Sequence, residues 1–232
     1  MKAQICSTAN RTRSRAMTLV EVLVVVVVVF VLVMFVAPVL DTGANPKARR
    51  IACCHNLKEI GIATRLLATD STNGLSPSLV TAQGGSQEFA AETWRHYLAM
   101  SNELANLKLL VCPADSRKPA TSVASLRNEN ISYFLGLDSD ETTPQAFLAG
   151  DRNLTTNGVA VGPGLLTLTS NSVVGFTKEM HVGAGNLLMS DGSVWQVNSQ
   201  WLQSQLSSGG MPTNRGAIFR LPGVPTNRLV IP

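Results

Sequence analysis

The chain has 232 residues, one domain's worth of core plus a targeting segment. Its net charge of +4 is modest and its arginines are not interleaved with aromatics, which make up 5% of the residues, so composition argues against a nucleic-acid partner. Hydrophobic residues reach 45%, but the excess lies between Leu19 and Leu40, and the rest has the composition of a soluble domain.

Residues 1–16 form a basic leader with Lys2, Arg11, Arg13 and Arg15 and no acid. From Val22 to Leu40 no charge interrupts the chain, and residues 17–40 are long enough for a membrane-crossing helix, which needs roughly 20 residues. The leader arginines predict a cytoplasmic N-terminus, with Lys47, Arg49 and Arg50 as charge on the far flank. Glu21 breaks the apolar pattern near its start. A carboxylate inside such a helix costs about 2.5–3.5 kcal/mol and demands a partner. Cleavage between Ala16 and Met17 would create an α-ammonium four residues before Glu21. In a stack of subunits, that amine could meet the Glu21 of a neighbour. A cleavable secretory signal ending near Thr42-Gly43-Ala44, or a plain signal anchor, is the alternative, and it leaves Glu21 unexplained.

Beyond a polar break at residues 41–46, Ile51, Cys54, Leu57, Ile60, Thr64 and Leu67 recur at helical steps and predict an amphipathic helix over 47–70. Ser71-Thr72-Asn73-Gly74 ends it. Residues 77–87 read as a loop and 88–107 as a second helix. The texture then changes to short β-prone runs, with strands predicted over 131–137, 165–168, 172–176, 186–189 and 193–197. A short helix over 199–206, capped by Ser199, follows. Residues 209–232, rich in Gly, Pro and Asn, read as an irregular tail. The fold class is α+β: a long N-terminal hydrophobic helix continuing into an amphipathic helix packed on a small antiparallel sheet, in a head over residues 41–208.

Four cysteines occur, and Cys112 can bridge either Cys53 or Cys54 in an oxidising compartment. No Cys-x-x-Cys pair or His/Cys cluster has zinc spacing. His181 and Asp191 could form a metal or acid–base pair. The structural alternative is a hairpin turning at Ser190-Asp191-Gly192, loosened at its entry by Gly183 and Gly185, with His181 bonded to a backbone group at its edge. Asp138, Asp140, Glu141 and Asp151 are oxygen ligands that could hold calcium, although their spacing is not that of an EF-hand. Asp41-Thr42-Gly43 imitates an aspartic-protease motif, but that chemistry needs a second copy and none occurs. No Gly-x-Ser-x-Gly elbow is present either, and no enzymatic role is expected.

A basic leader followed by Met17, Thr18, Leu19, an aliphatic residue and Glu21 resembles the prepilin family of type IV pilins and type II secretion pseudopilins. Ala16 stands where that family normally has glycine, and Pro38 stands where many pilins carry a helix-bending proline. Cys112-Pro113-Ala114-Asp115 and the His181 to Asp191-Gly192 spacing resemble elements of a large group of bacterial prepilin-like proteins. The resemblance implies a pseudopilin, cut after Ala16 by a prepilin peptidase, methylated at Met17 and assembled with other subunits on an inner-membrane secretion platform. It implies a single-pass inner-membrane protein with a periplasmic head. A type IV pilin for adhesion, motility or DNA uptake is the alternative within the class, and a membrane-anchored extracytoplasmic binding protein is the alternative outside it. No cofactor is implied, calcium apart.

Overall fold

The computed structural model describes residues 18–40, 45–71, 89, 92–139, 144, 146–169, 171–207 and 227–232, with backbone alone for 35–40, 70, 71 and 227. The chain divides into two compact units, Met1–Ala44 and Asn45–Pro232.

In the first unit, helix α1 (Leu19–Leu40) starts from Thr18. Thr18 N donates to Glu21 Oε2 at 2.8 Å, and Glu21 N donates to Thr18 Oγ1 at 3.3 Å. This reciprocal pair is a capping box that satisfies donors at the helix start. Glu21 therefore has a partner within its own chain, which its apolar surroundings in the sequence concealed.

Side chains of α1 are described only from residue 19 to residue 34, and that stretch contains Glu21. Among the described residues no helix is long and apolar enough to cross a membrane. The expected single-pass inner-membrane placement, with a cytoplasmic N-terminus and periplasmic head, is corrected accordingly. So is the assignment to a membrane-borne secretion pseudopilin that depended on it.

The α+β expectation is also corrected, because strands dominate the second unit. Nine strands occur among the described residues: β1 (Tyr133–Gly136), β2 (Phe147–Asp151), β3 (Leu154–Thr156), β4 (Val159–Ala160), β5 (Gly164–Leu168), β6 (Val174–Phe176), β7 (Ala184–Met189), β8 (Val194–Asn198) and β9 (Asn227–Ile231). They form a six-stranded sheet in the order β5-β9-β1-β2-β7-β8 and a three-stranded sheet in the order β4-β3-β6. All their ladders are antiparallel. The helices beside them are α2 (Pro46–Ser71), the seven-residue α3 (Thr93–Ala99) and the nine-residue α4 (Ser199–Ser207).

Both faces of the large sheet are covered. Tyr133, Leu135, Leu148 and Leu188 share one core with Leu57 and Ile60 of α2 and Tyr97 of α3. Their strand neighbours Phe134, Phe147 and Leu187 share a second core with Leu202 and Leu206 of α4 and with Leu154 and Phe176 of the small sheet. Successive side chains point to opposite faces, so burial on both makes β1, β2 and β7 buried throughout. A side chain at Gly185, inside β7, would overlap the Phe176 ring, so this glycine serves close packing of the two sheets and not a loose strand entry.

The amphipathic helix forms as expected, with its inner face turned. Cys53, Leu57, Ile60 and Thr64 are buried, whereas Ile51 is 64% exposed. The helix predicted over 88–107 shortens to α3, because the chain turns at Met100–Glu103 and re-forms as a 3₁₀ turn, Leu107–Leu110, where Asn106 Oδ1 accepts from Lys108 N. Asparagine competes for backbone donors in this way and disfavours helix continuation. At α4 the cap is Asn198, whose Oδ1 accepts from Trp201 N at 2.8 Å. Ser199 instead accepts from Phe176 N and donates to Gly183 O, joining α4 to the strands.

β9 comes from the stretch read as an irregular tail, yet it lies between β5 and β1 with Val230 fully buried. Asp138 secures it, accepting from Arg228 N at 2.7 Å and from the Arg228 guanidinium at 2.6 and 2.9 Å.

Candidate functional site

A buried polar cluster lies between α2 and the β2–β7 ladder. Cys53 reaches it from α2 and is disulfide-bonded to Cys112, which follows the 3₁₀ turn. Asp151 ends β2, Asn186 lies in β7, and His181 precedes β7 in a turn where Val182 has φ 55° and Gly183 φ 76°. A β-branched residue at positive φ is strained by about 1–3 kcal/mol, and such strain concentrates at functional sites.

The imidazole Nε2 of His181 is the centre of the cluster. It lies 3.4 Å from Cys112 Sγ, 3.3 Å from Asp151 Oδ2 and 3.2 Å from Asn186 Nδ2. Asn186 also donates to Asp151 Oδ2, through its backbone N at 2.7 Å and its Nδ2 at 2.9 Å. Asp151 Oδ1 is buried with no hydrogen-bond partner among the described residues. Arg50, assigned in the sequence to a membrane flank, donates instead to Asn186 Oδ1 and to the carbonyls of Gly185 and Val197. The remaining thiol, Cys54, donates to Asn186 Oδ1 and accepts from Gln196 Nε2. Burial pushes its thiol above the usual range, which makes it a poor nucleophile.

Burial drives both Asp151 and His181 toward their neutral forms. It pushes the Asp151 carboxyl up to about 7, and the hydrogen bonds from Asn186 and the charge of Arg50 only partly oppose it. It pushes His181 down to about 4, assisted by Arg50. Their contact is therefore a hydrogen bond sharing a proton, and not an ion pair, around neutral pH.

Opposite pH slopes follow for the oxidised protein. Asp151 has a raised folded pKa, so its contribution to stability is complete below the unfolded value near 3.8 and is lost as pH rises toward 7. His181 has a lowered one, so its contribution is present above 6.5 and is lost as pH falls toward 4. Between pH 4 and 6.5 the two offset each other. In urea unfolding at a series of pH values, Asp151→Asn should lose stability on acidification, on the order of 3 kcal/mol, whereas His181→Gln should gain on the order of 4 kcal/mol. Parallel slopes in the two variants would show that the groups are not buried as described.

The structure separates His181 from Asp191. Asp191 is exposed in the β7–β8 turn, where its Oδ1 accepts from Ser193 N at 2.7 Å and Gly192 adopts φ 83°. The expected hairpin is present and the alternative His181–Asp191 pair is not; His181 Nε2 meets the side chains of Asp151, Asn186 and Cys112 and not the backbone group expected at the hairpin edge. The acidic set divides as well. Asp138 is engaged by Arg228 and Asp151 faces His181, so they do not share one site, while Asp140 and Glu141 lie outside the described residues. Ala16, Met17 and the Asp41-Thr42-Gly43-Ala44 string lie outside them too, as do the side-chain contacts of Pro38.

Cys112-Pro113-Ala114-Asp115 ends in a second polar network. Asp115 accepts from Arg152 Nε and Nη2 at 2.8 Å each and from Ser132 Oγ at 2.7 Å, and Arg152 Nη2 also reaches Glu179 at 2.7 Å. Burial alone would raise the Asp115 carboxyl, but these partners hold it below the usual carboxylate range. An open hollow of about 460 Å³ lies near Trp94, Arg117, Arg127 and Pro232. Its arginines are structurally occupied: Arg117 donates to the carbonyls of Asn128, Ile131 and Pro232, and Arg127 lies over the Trp94 ring at 5.0 Å.

The Cys53–Cys112 bridge is one of the two pairings open in the sequence, but the cluster of His181, Asp151 and Asn186 around it is not legible there, because its members come from separate stretches of chain. The one local signal was the Cys-Pro-x-Asp element beside Cys112. Compared with known proteins, the chain matches no family model, no curated protein and no solved structure.

Proposed function

We propose that the chain is a structural subunit that is cut after Ala16 and assembles with further copies through its N-terminal helix into a prepilin-like filament. The observation that carries this reading is α1 itself. Its described side chains from Leu19 to Met34 are exposed on every face, from 45% at Val31 to 81% at Leu19. A helix that is apolar all round is stable only when something covers it. Like helices supply a matching apolar surface, and Val-rich side chains would pack there by close van der Waals contact. The polar start at Thr18 and Glu21 then sets where one helix stops against the next.

The capping box separates two roles for Glu21. Glutamine preserves a capping box but carries no charge. If Glu21 meets a neighbour's α-ammonium, Glu21→Gln and Glu21→Val should both abolish filament incorporation, measured by cross-linking and electron microscopy, while the subunit stays folded. If its role is capping alone, Glu21→Gln assembles normally and the charge-pairing mechanism is wrong. Intact-mass measurement of the N-terminus tests the processing step: a chain starting at Met17 supports it, and a chain retaining residues 1–16 in assembled material overturns it.

A further inference from the structure

The ligand atoms of Cys53, Cys112 and His181 all lie within 4.8 Å of one another. Asp151 Oδ2 is 3.3 Å from the same His181 Nε2 that lies 3.4 Å from Cys112 Sγ. Zinc binds sulfur at about 2.3 Å, imidazole nitrogen at about 2.05 Å and carboxylate oxygen at about 2.1 Å in tetrahedral sites. Those bond lengths place sulfur and nitrogen roughly 3.5 Å apart, and nitrogen and oxygen roughly 3.4 Å apart, along the edges of the tetrahedron. The sulfur–nitrogen and nitrogen–oxygen separations thus match two tetrahedral edges, while Asp151 lies outside the mutual 4.8 Å set and must swing toward the sulfurs to close the site. The sulfur–sulfur edge does not match: two thiolates on zinc stand roughly 3.8 Å apart, and here the sulfurs are bonded to each other.

We propose that reduction of the Cys53–Cys112 disulfide opens a site for one zinc-type divalent ion, ligated by Cys53 Sγ, Cys112 Sγ, His181 Nε2 and Asp151 Oδ2. An external dithiol supplies the two electrons and two protons. Its own sulfurs become a disulfide, the Cys53–Cys112 bond breaks, and two thiols result. Metal binding then releases those two protons to solvent, together with the Asp151 proton where that carboxyl is protonated.

Two further features suit an ion there. Asn186 holds the Asp151 carboxylate through two hydrogen bonds, the outer-shell support that orients metal ligands. Two thiolates and a carboxylate leave a site one charge too negative for a divalent cation, and the Arg50 guanidinium acts on both Asp151 and His181. Thiolate ligands select zinc-like ions over calcium or magnesium.

Cobalt is the probe, because tetrahedral cobalt with thiolate ligands has intense visible bands and a sulfur-to-metal charge-transfer band. The full chain carrying Cys54→Ser, which removes the competing free thiol, is reduced anaerobically with dithiothreitol, desalted and titrated with cobalt chloride. Expected are one bound equivalent with tetrahedral bands in the reduced protein and none in the oxidised protein. Zinc should displace the cobalt and raise the thermal midpoint of the reduced chain. His181→Ala and Asp151→Asn should each weaken cobalt binding by at least roughly tenfold, the lower end seen even for outer-shell partners. The proposal is overturned if the reduced, folded chain shows no tetrahedral bands, or if it unfolds and zinc does not refold it. Bands of equal strength in the oxidised protein, or bands that survive both substitutions unchanged, overturn it equally.

Discussion

Reduction of the disulfide in the presence of a metal chelator should cost the protein about 4 kcal/mol of stability. Cys53 and Cys112 are 59 residues apart, and closing a loop of that length in the unfolded chain removes entropy equivalent to about 4 kcal/mol at room temperature. The loop contains α3 and the 3₁₀ turn at Leu107–Leu110 and ends one turn before Asp115, so the bond joins α2 to the segment that carries Tyr97 and Leu110 into the core. Urea unfolding followed by circular dichroism, with and without dithiothreitol, measures the effect. Cys54→Ser should change the oxidised protein by less than about 1 kcal/mol, since its thiol is outside the disulfide and only half-buried. Equal stability of oxidised and reduced chains would mean that packing alone holds Cys112 against α2.

Asp115→Ala should be comparably damaging, at about 3–5 kcal/mol, the range for removing one partner from a buried ion pair. The Asp115 side chain is fully buried and Arg152 is only 15% exposed, so the substitution leaves a guanidinium with its best acceptor gone. Glu179 does not replace it, being 49% exposed, and Glu179→Ala should cost less than about 1 kcal/mol. Because the Asp115 pKa is lowered in the folded chain, its contribution is present above the unfolded value near 3.8 and is lost as pH falls through the folded value. Asp115→Ala should therefore lose stability at neutral pH and less of it in acid. A pH-independent loss would assign the effect to packing and not to charge.

Several elements were legible because their signals are short-range. The β7–β8 hairpin turns at Asp191-Gly192, and Asp-Gly favours the positive φ that Gly192 adopts. The same signal marks β3 and β4, which pair across Asn157-Gly158 at φ 51° and 77°, a hairpin that the sequence reading passed over. β2 was missed for another reason: Phe147-Leu148-Ala149-Gly150-Asp151 is buried on both faces and shows no alternation. β9 was hidden by its Gly- and Pro-rich surroundings, and its place between β5 and β1 depends on partners dozens of residues away.

By itself the sequence determined the local features: the basic leader, the apolar run after Glu21, the amphipathic periodicity of α2 and the turn at Asp191-Gly192. Each rests on backbone preference or side-chain spacing within a few residues, so no distant contact is needed to read it. Tertiary structure decided that Cys53, and not Cys54, meets Cys112, because the two cysteines point to different sides of α2 and only packing chooses between them. It likewise decided that His181 faces Asp151 instead of Asp191. Closing β7 onto β2 buries Asp151 beside Asn186 and turns Asp191 out to solvent, an outcome that spacing along the chain does not encode.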